Sequence, residues 1–437
     1  MGTSMVKHFS ISSICDTVNR WIAYAITIWV CLPWITQNTG MTLCMGLILL
    51  WIVTRLFPQI MTLKFKFSAE NISLCLFSIY VFIILLLGGK AYTSFDNLYF
   101  ISNLSIFIIG YYMFKYYAEK KDEKTLGKIA VISIISLLIG CFFTIYYVDQ
   151  YPMIVKSISQ STDTEFMIYR KAGIGSFGFV FMAMFSILAI SYTVIGRNGL
   201  HVYSRVLLLV SIFIMCNCII KSGFSTAILL FIAGLIITLL NRDKINIYSV
   251  LIGILLLIVL FLTKEALGEF LTSLQIENEM VNTRIKEIGE FLISNEQGEN
   301  LNSRSKNLVL SFQCFFDNFW VGYNMKSIFR EVVRPGGHAE WIDMFAVYGV
   351  FAGTAIFSFM IHALKNINNK LKEFNTHSNY FVILIILAIY GFLDPFLRIY
   401  HIGFGIFLTV PSIYFIPKLK KGGITNKDSV DSEHPNW

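Results

Sequence analysis

The sequence predicts an all-α polytopic membrane protein of about twelve transmembrane helices, with a long, partly helical external loop before the tenth. Three observations predict it. Hydrophobic residues make up 56% of the 437 and charged residues only 14%, against roughly 25% charged in an average globular chain. Apolar runs close to the ~20 residues that a spanning helix needs recur along the chain. Lys and Arg fall in alternate loops, the pattern that sets membrane orientation. Length alone would allow two or three soluble domains. The composition excludes them, along with disordered, fibrous and nucleic-acid-binding classes.

The runs lie at 20–36, 40–56, 71–89, 97–117, 126–148, 173–196, 203–220, 223–240, 246–263, 339–362, 378–393 and 399–416. The first two are short, and Gln37–Gly40 is read as their only divider. The first run has no small-residue cleavage site after it, so it reads as a retained helix rather than a signal peptide. Basic residues at Lys7 and Arg20, Arg55 to Lys66, Lys115 to Lys124, Arg197 and Arg205, Arg242 and Lys244, Lys365 to Lys372, and Lys418 to Lys421 mark one side. That side is expected to be cytoplasmic and to hold both termini. Residues 1–263 then carry nine helices with a small external loop at 149–172. Residues 264–337 form the large external loop, 338–417 the last three helices, and 418–437 a polar cytoplasmic tail.

The formal net charge is +8, yet 264–337 carries ten acidic and eight basic residues, so the surplus belongs to the short loops. It is a topology signal and calls for no anionic partner. Inside the large loop, Leu267, Leu271, Leu274, Val281, Ile285, Ile288 and Leu292 recur at helical spacing and predict an amphipathic helix. The polar break Asn295-Glu-Gln-Gly-Glu-Asn separates it from a second helix expected from about Arg304 to Asp317. The eight cysteines fall mostly in apolar runs, which leaves no external set for a disulfide framework. Cys216 and Cys218, two apart on a helix, do not share a face and make no metal site.

Among seven histidines, His338 and His401 are expected outside, and His8, His201, His362, His377 and His434 inside. His338 follows Gly336-Gly337 and precedes an apolar helix. Free N–H groups and the helix dipole at such a terminus favour an anion. An imidazole there can act as a base, contact a phosphate, or merely start the helix. Arg170, Lys171, Lys221, Arg304, Arg334 and Arg398 map to the same boundary, where a diphosphate would need several cationic partners. Arg304 is expected to open its helix. Asp343, one turn into the tenth helix, and His401, beside Asp394-Pro395 in a short turn, are candidates for the acceptor side. No Walker loop, nucleophile elbow or HExxH occurs.

Ser303-Arg304, then Phe316-Asp-Asn-Phe-Trp-Val-Gly322-Tyr-Asn, then His338-Ala339 and Gly349-Val-Phe-Ala-Gly353 stand in a recognisable order. The chain resembles the bacterial O-antigen polymerase and O-antigen ligase superfamily, polytopic inner-membrane glycosyltransferases with a long periplasmic loop before a His-led helix. The resemblance implies His338 as catalytic residue, with Arg304 and Arg170 on the diphosphate and Lys221 as a stand-in cation; Arg398 is expected there from its place at the outer boundary. It also implies undecaprenyl-diphosphate-linked oligosaccharide as substrate, no metal or cofactor, and a chain-length regulator as a candidate partner beside membrane lipid. Ala339 stands where family members carry Asn, Ser or Gln. Lys221-Ser222-Gly223-Phe224-Ser225 lacks the arginine of the ligases' Ser-Arg-Gly turn, which favours a polymerase over a ligase. A lipid-linked oligosaccharide flippase is the reading from another class. The nearly charge-free helix centres and the large loop argue against it.

Overall fold

The structure is a computed structural model that describes residues 11–62, 68–92, 96–151, 171–195, 200–240 and 299–423, with isolated positions between them. These residues form helices and, among them, no strand. In chain order they are α1 (Ile11–Cys31), α2 (Pro33–Thr62), α3 (Ala69–Leu86), α4 (Asn97–Glu119), α5 (Glu123–Gln150), α6 (Phe177–Ile195), α7 (Val202–Lys221) and α8 (Ser225–Leu240). Within the 264–337 stretch lies α9 (Glu299–Asp317), and after it come α10 (Glu340–Glu373), α11 (Tyr380–Leu393) and α12 (Tyr400–Ile413). Seven of the described helices are long and apolar enough to cross a membrane, which makes the chain a multi-pass membrane protein. The helix expected at 246–263 lies outside the described residues, as does all but scattered positions of the amphipathic helix expected over 267–292.

The N-terminal elements depart from the expected boundaries for identifiable reasons. α1 begins well before residue 20 because its polar residues find distant partners. Asn19 Nδ2 donates to Trp51 O and Thr54 Oγ1, Tyr117 donates to Asn19, Arg20 pairs with Asp122 at 2.8 Å, and Asp16 pairs with Lys120. The divider of the first two helices is at Leu32, with Pro33 opening α2, because a proline at a first helical position loses no hydrogen bond. Gly40 is a second interruption, inside α2, at φ 72° and ψ 167°.

At the centre, α6 and α12 are buried almost along their whole length. Gly403 lets α12 approach Phe107 of α4, whose ring a Cβ would overlap. Small residues at such contacts are how helices close on one another without an aqueous driving force. α12 widens into a π-helical turn at Gly405–Thr409 just ahead of Pro411, which has no N–H to donate and whose ring crowds the preceding turn.

Alternate helix ends gather at two poles. Lys115 with Glu70, Arg20 with Asp122, and Lys418 with Glu123 tie one pole together. At the other, Gln37 donates to Ile174 O at 2.8 Å, Asn38 to Lys171 O at 3.0 Å, and Arg398 to Gly337 O at 3.2 Å. His338 lies at this second pole.

α10 is broken. It begins at Glu340 as expected, but Gly349 interrupts it with φ 72° and ψ 177°, where the sequence reads as continuous helix. The break is filled by the turn after α9. Val350 N donates to Phe319 O at 2.8 Å, and Gly322 and Gly349 pack backbone to backbone. A peptide N–H freed inside a membrane protein must find such a partner. Two sequence motifs far apart in the chain thus meet at one point.

Candidate functional site

The site grows from the start of α10. Arg334 and Pro335 lead by an extended segment into Gly336, whose Cα lies so close to Asn307 of α9 that a Cβ would fall 2.1 Å from its carbonyl oxygen. Gly337 turns the chain with φ 77°. His338 follows on the bend, exposed. Ala339 then caps α10 in an extended conformation and offers no side-chain acceptor of its own.

Asp343 supplies the missing cap from inside the helix. Its Oδ2 accepts from Ala339 N at 2.9 Å and its Oδ1 from Gly337 N at 3.3 Å. Ser311 of α9 donates its hydroxyl to the same Oδ1 and accepts from Gly336 N at 2.9 Å. Arg398 donates to the Gly337 carbonyl from the other side. The backbone on both sides of His338 is therefore clamped by three residues from α9, α10 and the α11–α12 turn. An anchored turn that leaves its imidazole exposed is suited to hold a base or hydrogen-bond donor in one position.

Glu340 completes the polar pole, and sequence reasoning missed it. It is fully buried. Its Oε2 accepts from Phe396 N at 2.7 Å and Leu397 N at 3.1 Å, while Oε1 is buried with no hydrogen-bond partner among the described residues. The usable signal was an acid two residues from His338 at the mouth of an apolar run. The charges of Glu340 and Asp343 both act with that of half-buried Arg398, whose guanidinium also lies 5.7 Å from the Tyr92 ring centre. Burial pushes the Tyr92 phenol up from its ordinary value, and Glu340 and then Asp343 push the same way against Arg398.

The other expected site residues scatter. Asp343, a candidate for the acceptor side, has both oxygens occupied by the chain's own donors. His401, expected outside, is buried. It stacks on Tyr400 at 4.1 Å, with Gly178 of α6 against its ring. Asp394 of the same turn is buried too. Lys221 is held by Asp149 at 2.5 Å. Arg304 does not open its helix, which starts five residues earlier at Glu299, and its side chain lies outside the described residues, as does Arg170 entirely. Arg334 is exposed. The structure thus brings together His338, Asp343 and Arg398, and adds Glu340.

The Lys221–Asp149 pair is partly solvated on both sides, so Lys221→Met is expected to change stability by less than about 1 kcal/mol. A thermal melt in detergent checks it, and a larger loss would make the pair a structural staple of the α5–α7 contact. The chain matches no protein-family model, and no curated protein matches it.

Proposed function

We propose that the protein is a surface-polysaccharide polymerase of the O-antigen type, a metal-independent glycosyltransferase. It would join undecaprenyl-diphosphate-linked oligosaccharide repeat units at the periplasmic face of a bacterial inner membrane. The observation that supports it best is the exposed His338, fixed by Asp343 and Arg398 at a helix start where loops and helix ends of a membrane bundle converge. In this reading an acceptor hydroxyl of one repeat attacks the anomeric carbon of another. The hydroxyl proton passes to the His338 imidazole, the new C–O bond forms, and the bond to the diphosphate breaks with the electron pair leaving on the phosphate oxygen. Free histidine has a pKa of about 6.5, and a diphosphate beside it favours the protonated, non-basic form. Cations around the diphosphate offset that and stabilise the leaving group. Arg398 is already at the turn, and Arg304 and Arg170 are proposed to complete the set.

A second reading, a lipid-linked oligosaccharide transporter, draws on one observation: α2 and α10 are both interrupted at a glycine, and transporters build sites at broken helices. Against it, the α10 break is occupied by the chain's own Phe319 and Gly322 backbone. The test is purified protein in detergent with lipid-diphosphate-linked repeats as sole substrate. Wild type is expected to make a product ladder, and folded His338→Ala to lose at least about a hundredfold in rate. A ladder surviving the mutation removes His338 from the chemistry. Product formed only with added lipid A–core moves the assignment to a ligase, and none with either acceptor moves it to the transporter.

A further inference from the structure

α9 runs alongside the first half of α10 in the same direction. Ser311 meets Asp343, Cys314 Sγ lies 3.8 Å from Ala346 O, Phe319 O takes the Val350 N–H, and Trp320 stacks on Phe351 with ring centres 5.6 Å apart. The nearly constant offset, 32 residues at Asp343 and Ala346 and 31 at Val350 and Phe351, means that α9 descends with α10, from the level of the His338 turn to the break at Gly349. At about 1.5 Å per residue, that descent from Glu340 is about 14 Å. α10 spans 34 residues, longer than the ~20 that cross a hydrocarbon layer. Its far end is polar from Lys365 onward. Counting back ~20 residues from there puts the near hydrocarbon boundary at about Phe345. The end of α9 and its turn then reach a few ångströms past that boundary.

What the turn shows at this depth is aromatic. Phe316, Trp320 and Phe351 are 70%, 61% and 67% exposed. α3 holds the turn, Tyr80 donating to Val321 O at 2.6 Å, and shows outward Ile79 and Phe82 as part of its own apolar outer surface. The aromatic patch adjoins this apolar outer surface. Lys326 donates to the Asp317 carbonyl, in keeping with a lysine whose stem lies along an interface while its charge reaches polar atoms.

We propose that the end of α9 is a membrane anchor: Phe316 and Trp320, backed by Phe351, sit in the interfacial layer of the leaflet on the His338 side, and what covers them is bilayer lipid. Aromatic rings are the residues that settle at this level. The consequence is a fixed height, since Ser311 on the same helix holds both Gly336 N and Asp343, and so ties the His338 turn to the membrane plane. The anchor rests on the multi-pass reading alone and stands whether or not the transferase reading does.

Full-length wild type and Trp320→Phe are reconstituted into phosphatidylcholine vesicles, with and without bromine near the acyl carbonyls. The difference between their emission spectra isolates Trp320 from the other six tryptophans. That component is expected to be blue-shifted and to lose at least about half its intensity to the shallow bromines, because a ring at the headgroup level meets them directly. Aqueous iodide should leave most of it. Quenching by iodide and not by bromolipid places the turn in water and overturns the proposal. A component shielded from both means that protein covers the patch, and overturns it equally.

Discussion

Gly349→Ala is expected to lower the melting temperature of the detergent-solubilised protein far more than Gly40→Ala does. Both glycines interrupt a helix with nearly the same backbone angles, φ 72° with ψ 177° and 167°. That region is essentially closed to other residues, at a cost of about 1–3 kcal/mol. The two sites differ in space. A Cβ on Gly40 meets nothing within 4 Å, whereas on Gly349 it falls 2.4 Å from Trp320 O and 2.5 Å from Gly322 N. These are backbone atoms, which cannot swing aside as the end of a flexible side chain can. The turn has to leave α10, and the Val350 N–H then loses the Phe319 carbonyl, for a further cost of about 1–3 kcal/mol. We expect Gly40→Ala to show the strain alone and Gly349→Ala to cost at least about twice as much, with loss of the monodisperse peak on size exclusion. Equal melting temperatures for the two variants would mean that the turn is not held in the break.

The contrast between those glycines also shows what could be read from sequence. Where an element is defined by its own apolar run, the boundaries came close: 97–117 against Asn97–Glu119, 203–220 against Val202–Lys221, 378–393 against Tyr380–Leu393. Where partners decide, they did not. α1 reaches back to Ile11 because Asp16, Asn19 and Arg20 are answered by residues 32 to 104 positions away. Gly349-Val-Phe-Ala-Gly353 reads as part of the continuous run 339–362, and only the docking of the 318–322 turn makes it a break. At the site, His338, Asp343 and Arg398 were legible as ionisable residues near one boundary. Their division of labour was not: Asp343 reads as a candidate on the acceptor side and Arg398 as a ligand for phosphate, and both hold the backbone beside His338. Glu340 escaped because an acid at a helix start is favoured by the dipole and needs no other reason to be there. What buries it is the turn 56 residues on.

Asp343→Ala should be the most damaging single change at the site for stability, and should lower the rate as well. Three donors end on this carboxylate: the Gly337 and Ala339 amides and the Ser311 hydroxyl. Removing it leaves the two amides without an acceptor in a region where Asp343 itself is fully buried, while the Ser311 hydroxyl can turn to the Asn307 carbonyl at 3.0 Å. Each orphaned donor costs about 1–3 kcal/mol, so a loss of roughly 2 kcal/mol or more is expected. Asp343→Asn separates shape from acceptance. Asparagine fills the same space but keeps one acceptor oxygen, and its amide group meets an N–H at whichever side it takes. It should lose about 1–3 kcal/mol and remain folded at low temperature. In that folded variant the His338 turn loses this hold, and under the proposed transferase reading such a displacement costs up to about a hundredfold in rate. Ser311→Ala removes one donor and one acceptor of the same network. Paired with Asp343→Asn it should show a coupling of about 0.5–3 kcal/mol rather than simple additivity. Should Asp343→Asn melt and turn over like wild type, the donors have other acceptors, and the clamp on His338 is set by Arg398 and the α9 contact instead.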